Sequence, residues 1–142
     1  MIPFRRPGRG GPDDEEPGTF DLLGFTHYWA KSLRGRWVVK QKTAKDRLSR
    51  TLRRIRDWCR KNRHSPVATQ HLALSRKLQG HYAYFGITSN YRALDQVWHH
   101  VKDVWKKALA RRNSRGLSWE TMHALMQRHP LPVPRIVHRC GT

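Results

Sequence analysis

Acid is scarce in this chain. Its 142 residues include 10 Asp plus Glu against 29 Lys plus Arg, a formal net charge of +19. An excess of one sign this large repels itself and favours a polyanion that can release its counterions, so nucleic acid is the first partner the composition points to. Long apolar runs are missing as well. No stretch reaches the roughly 18 apolar residues of a spanning helix, and no apolar signal core follows Met1, which argues against a membrane and predicts a soluble chain. Cysteine is nearly absent. Cys59 and Cys140 are too few for a disulfide framework and match no zinc spacing, so reduced thiols in the cytoplasm are expected.

Catalytic equipment is lacking too. There is no P-loop, no nucleophile elbow and no Rossmann glycine fingerprint. Asp13-Asp14 is the one paired carboxylate, beside Glu15 and Glu16. A polymerase or nuclease centre needs such a pair on rigid strands to hold divalent metal. This one lies in Pro/Gly-rich text and reads as a solvated acidic patch. His64, His99-His100 and His138-x-Cys140 supply metal-ligand residue types without metal-ligand spacing: adjacent helical histidines point about 100° apart, and neither cysteine has a C-x-x-C partner. No metal, cofactor or catalytic residue is expected.

What is present is a mainly α domain. Residues 1–18 hold prolines, glycines and clustered charge and read as a flexible leader. Residues 20–28, FDLLGFTHY, and Trp37-Val38-Val39 flank a turn containing Gly35 and are expected to pair as a short β-hairpin. Residues 43–62 form the clearest helix: Ala44, Leu48, Leu52, Ile55 and Cys59 share one face, and Thr43 with Asp46 suits an N-cap. Ser65-Pro66 reads as a cap and first-turn proline opening a second helix that ends near Phe85, at Gly86. A third helix over residues 90–112 carries the stripe Tyr91, Leu94, Trp98, Val101, Trp105 and Leu109. Ser118 caps a fourth with Trp119, Met122, Leu125 and Met126 aligned. A bundle of three to four helices follows. Pro130, Pro132 and Pro134 make the remainder an extended tail, whose docking the sequence leaves open.

The first helix is apolar on one side and cationic elsewhere, through Lys45, Arg47, Arg50, Arg53, Arg54, Arg56, Arg60 and Lys61, with Arg63 just beyond. Solvated helix faces ordinarily mix both signs. This one carries a dense excess of one sign, so phosphate contact is the expected use of these residues. The stretch QGHYAYFG, residues 79–86, sets a histidine and three aromatics between two glycines. Helical spacing turns Leu78, Tyr82 and Phe85 inward as core and leaves His81 and Tyr84 for RNA, by stacking or hydrogen bonding. Trp98 and Trp105 are expected in the core. Trp58, at the edge of the first helix's apolar face, is ambiguous.

Five blocks stand in order along the chain: FDLLGFTHYW, WVVKQKTAKDRL, RRIRDWCRKNRH, LQGHYAYFGITSNYRAL and SWETMHALMQRHPLPVPRIVH. Together they resemble the carboxyl-terminal part of the reverse transcriptase and maturase of bacterial group II introns, over about residues 19–138. The resemblance implies that FDLLGF closes a polymerase palm. The helices after it would form the thumb, or maturase-specific X domain, an element that grips intron RNA in its splicing-active fold and holds the template and primer duplex in reverse transcription. On that reading residues 19–41 are palm edge, 42–129 the thumb-like bundle and 130–142 a basic Pro-rich tail. The family's aromatic-Ala-Asp-Asp palm motif and its fingers have no counterpart here, and neither does the zinc-containing endonuclease segment of some members. Ala83 stands where the family pattern leads us to expect Asn. The implied function is an RNA-binding module without a catalytic site. One alternative is the thumb of a split RNA-directed DNA polymerase completed by an upstream fingers and palm polypeptide; another is a generic basic nucleic-acid-binding helical domain. A thumb without its palm would expose an apolar edge at Leu22, Leu23 and Phe25.

Overall fold

The computed structural model describes residues 18–138. The expected leader, including Asp13-Asp14, lies almost wholly outside them, as does Cys140. A three-stranded antiparallel sheet, β1 (Phe20–Leu22), β2 (Phe25–Lys31) and β3 (Trp37–Thr43) in that spatial order, precedes four helices: α1 (Lys45–Lys61), α2 (Val67–Phe85), α3 (Tyr91–Ala110) and α4 (Trp119–Arg128). A 3-10 turn at Thr88–Asn90 joins α2 to α3.

The expected single hairpin is two. FDLLGFTHY folds back on itself through Leu23-Gly24, with Leu22 paired to Phe25 and both loop residues at positive φ, 54° and 86°, the pattern of a type I′ turn. A branched side chain at Leu23 costs about 1–2 kcal/mol in this region. Two bonds from elsewhere hold the turn: Tyr84 Oη donates to Leu23 O at 2.7 Å and Ala44 N to Gly24 O at 2.8 Å. The β2–β3 turn is closed by Gly35, as expected, at φ 77° and by Gly35 N to Ser32 O at 2.9 Å.

Two expected helix caps are displaced. Thr43 is the last residue of β3, and Ala44 occupies the N-cap of α1 with no side-chain bond. Thr43 is buried and engaged elsewhere: its N–H donates to Asn90 Oδ1 at 2.7 Å and its Oγ1 accepts from Asn90 Nδ2 at 2.7 Å. Similarly Pro66, not Ser65, is the N-cap of α2, while Ser65 O accepts from Gln70 Nε2 at 2.7 Å. Ser118 does cap α4, accepting from Thr121 N at 3.2 Å.

The core lies among the helices. Ile55 and Cys59 of α1, Leu74, Leu78, Tyr82 and Phe85 of α2, Leu94, Val97, Val101 and Trp105 of α3, and Met122 of α4 form one buried cluster. The third helix turns inward slightly off the expected stripe: Val97, Val104 and Ala108 are buried, whereas Tyr91 is exposed and Trp98 only half-buried, with Lys102 Nζ 3.7 Å from its ring centre. Trp58 is likewise half-buried, under Lys77 Nζ at 5.4 Å. Gln70, like Asn90, is a polar side chain fully inside. Gln70 accepts from Trp105 Nε1 at 2.9 Å and donates to Ser65 O and to Arg63 O at 3.3 Å, so its burial leaves no polar group unpaired.

The Pro-rich segment docks. Leu131 is buried, Tyr82 Oη donates to Pro132 O at 2.8 Å, His71 Nε2 lies 2.7 Å from Pro130 O, and Val137 N and His138 N both donate to Gly86 O. Gly86 ends α2 as expected, for a different reason. Its φ is −79°, which any residue adopts, but a Cβ there would collide with Tyr82 O and sit 2.9 Å from Arg135 O. Glycine is needed first for room against the last turn of α2 and second for the approach of the docked segment.

Candidate nucleic-acid interface

The placement of the cations follows from the packing of α1. Ala44, Ile55 and Cys59 are buried, and Leu48 and Leu52 pack against the core. With that face committed, Lys45, Arg50, Arg53, Arg54, Arg56, Arg60 and Lys61 are left exposed, and Arg47 and Arg63 half-exposed. Two acids on the helix offer little neutralisation. Arg50–Asp46 and Arg60–Asp57 are both exposed pairs at 4.0 Å, a geometry that contributes little in water. Among the described residues these are the only ion pairs involving the α1 cations.

Neighbouring helices divide the cationic surface. On one flank Arg47, Arg54 and Thr51 face α2, where Lys77, Gly80, His81 and Tyr84 complete a groove of about 390 Å³ floored by Ile55 and Phe85. On the other flank Arg56, Arg60 and Arg63 face α3, where His100, Lys107 and Arg111 complete a cleft of about 430 Å³. Arg50 leans toward the β1–β2 turn, beside Leu22 and Leu23. Lys45, Arg53 and Lys61 line none of these hollows and stand in solvent.

His81 and Tyr84 therefore do share a groove with arginines. Tyr82 and Phe85 are core, at 0% and 3% exposure. Tyr84 is about half exposed, its hydroxyl is spent on Leu23 O, and its ring lies along Phe25 at 5.8 Å between centres, so it offers a ring surface but no free donor. His81 lies against Phe85 with centres 4.7 Å apart, and its Nε2 is buried without a hydrogen-bond partner. Burial first, and the Arg47 charge second, bring its pKa down to about 4. The ring is thus neutral, and it serves as a wall of the groove; a hydrogen-bonding role for this nitrogen does not fit its burial. The aromatic knot is chiefly the joint between α2, the β1–β2 turn and the docked segment.

Comparison of the chain with protein-family models, with curated proteins and with solved structures finds no match. The surface must be read from its own residues.

Lys77, Lys107, Arg111 and His100 also belong to this surface, though only α1 stood out in the sequence. A signal for three of them was there: His100, Lys107 and Arg111 are spaced seven and four apart, one side of a helix. No cluster of three His, Cys, Asp or Glu is placed to hold a metal ion among the described residues. Among the same residues, no helix is long and apolar enough to cross a membrane.

Proposed function

We propose that this chain is an RNA-binding module of the group II intron maturase type, in which α1 and its two flanking hollows take the phosphate backbone of intron RNA. The observation that carries the reading is the commitment of α1: its apolar side is locked into the core, so its arginines cannot turn inward, and the few acids nearby cannot neutralise them. A folded RNA supplies the missing anions at a density few other partners match. The half-exposed Tyr84 ring beside Arg47 and Arg54 suits an unstacked base next to a phosphate. The family named in this proposal rests on the resemblance of the ordered sequence blocks, and the thumb-like role of the bundle belongs to the proposal too.

The test is the salt dependence of binding to structured intron RNA. Replacing Arg50, Arg53, Arg54 and Arg60 together by Ala is expected to lower the magnitude of the log–log slope by about 3, since each lost phosphate contact removes about 0.7–0.9. An unchanged slope removes these arginines from the interface. Competition by random duplex DNA at fixed salt separates a maturase-type grip from general polyanion affinity. Equal binding of the two would favour the generic reading.

One observation favours a second reading, the thumb of a split polymerase. The outer edge of β3 is covered, because Gln41 N donates to Ser89 Oγ at 3.1 Å and Ser89 Oγ donates to Gln41 O at 2.6 Å. At the β1 end Leu22 and Leu23 are 53% and 75% exposed, an apolar edge of the kind another strand covers. Primer extension on an RNA template that appears only when a fingers and palm polypeptide is added would support it.

A further inference from the structure

The cleft between α1 and α3 differs in kind from the groove between α1 and α2. Arg56, Arg60 and Arg63 form one wall and Lys107 and Arg111 the other, over a floor of Val104 and Ala108. Its volume of about 430 Å³ falls in the range of small-molecule sites. No aromatic side chain lines it apart from His100, so it has no platform for a base.

A simpler account would make these cations mere partners for helix ends, because the last turns of α1 and α3 both border the cleft. The charges decide against it. Each helix C-terminus is equivalent to about half a negative charge, and Asp57 is the single acid in the lining. Five cations against those two ends and one carboxylate leave a surplus of about three positive charges. Arg56 and Lys107 also face His100, whose pKa is lowered chiefly by burial; the Leu52 backbone and the Asp103 charge oppose that shift, and the two cations add to it less. The backbone under one residue of each wall is anchored. The Arg63 carbonyl accepts from the fully buried Gln70, and Arg63 Nε donates to His64 Nε2 at 3.3 Å. Arg111 N donates to Lys107 O at 3.3 Å.

We propose that the α1–α3 cleft seats a triphosphate group and reads it by charge without reading the base. Three linked phosphates carry about 3.5–4 negative charges at neutral pH, close to the surplus, and the two cationic walls can grasp them from both sides through charge-assisted hydrogen bonds. The group can come from the 5′-triphosphate end of an RNA or from a free nucleoside triphosphate. The cleft is one of the two hollows assigned above to intron RNA, but the inference rests on the cleft's own cations, so either reading can fail without the other.

Calorimetric titration of the full chain at low salt tests it. Inorganic tripolyphosphate is expected to bind at least about tenfold more tightly than inorganic phosphate, with ATP and GTP equal to within about twofold. The pair Arg60→Gln and Lys107→Gln should weaken tripolyphosphate binding at least about tenfold, since each lost charged hydrogen bond is a factor of that order. The charge-matched pair Arg76→Gln and Arg92→Gln, exposed and outside the cleft, should leave it within about twofold. Asp57→Asn removes the opposing carboxylate and should tighten binding by about two- to threefold, a direction that a damaged fold does not produce. Tripolyphosphate binding no tighter than phosphate, or weakened equally by both pairs, overturns the proposal. A 5′-triphosphate RNA that outcompetes its 5′-hydroxyl counterpart assigns the cleft to RNA ends; equal competition alongside ATP binding assigns it to free nucleotides. Tripolyphosphate is not RNA, so its loss would leave the intron reading standing, and the converse holds.

Discussion

Replacing Asn90 by Ala removes the clamp between the sheet and the helices. Asn90 is 1% exposed. Its Oδ1 accepts from Thr43 N at 2.7 Å, and its Nδ2 donates to Thr43 Oγ1 at 2.7 Å and to Phe85 O at 2.9 Å. The change to Ala leaves the Thr43 N–H without this partner in a site closed to water, and takes from the Phe85 carbonyl one of the two bonds it accepts, the other coming from Ile87 N at 2.9 Å. At about 1–3 kcal/mol for the orphaned N–H and about 0.5–1.5 kcal/mol for each of the other two bonds, the expected loss is about 2–5 kcal/mol. In a domain of this size that lowers the melting midpoint by about 10–20 °C. Urea unfolding followed by far-ultraviolet circular dichroism measures it, the m-value showing whether unfolding is still all-or-none. Asn90→Asp should not rescue: it keeps an acceptor for Thr43 but turns an anion toward the Phe85 carbonyl. Because Thr43 adjoins the start of α1, amide exchange in the first turns of that helix should quicken more than in α3. A loss below about 1 kcal/mol would refute the reasoning, since neither group could then depend on Asn90.

Three further outcomes are expected. Gly86→Ala should destabilise by about 1–3 kcal/mol and free the docked C-terminal segment, read as faster tryptic cleavage after Arg135; unchanged cleavage would show that glycine is not needed for docking. His81 has a folded pKa of about 4 against an ordinary 6.5, so the unfolded chain takes up the proton first as pH falls. Its contribution is full above about pH 6.5 and is lost progressively down to about pH 4, by roughly 1–3 kcal/mol; His81→Leu should flatten that part of the stability profile, and a profile of the same steepness would refute the assignment. Burial pushes the Cys59 thiol up to about 12, so in a Cys140→Ser background it should resist thiol reagents at pH 8 until the chain is unfolded; prompt labelling of the folded chain would contradict its burial.

The helices were legible because their signals are local. In α1 the five apolar positions recur every three or four residues, and in α4 Ser118 precedes an aligned apolar set, so a short window contains the information. Caps proved less legible. Thr43 and Ser65 have the right chemistry for N-caps, but each is engaged elsewhere: Thr43 by Asn90, 47 residues away, and the Ser65 carbonyl by Gln70. The first hairpin was hidden because Leu23 is an unfavourable residue at positive φ, tolerated through bonds from Tyr84 and Ala44 that no local window shows.

The amino-acid order by itself determined the +19 imbalance, the apolar stripe of α1 and hence the outward set of its arginines, since charge and 3.6-residue periodicity are properties of adjacent text. Only the tertiary structure decided how that cationic surface is divided. Whether Arg54 shares a hollow with Tyr84, or Arg60 with Lys107, depends on which helix lies against which flank of α1. That is settled by packing among Ile55, Leu78, Trp105 and their neighbours, and by bonds such as Trp105 to Gln70 across 35 residues. Contacts of that span arise from the whole chain burying its apolar area at once, so no single stretch encodes them.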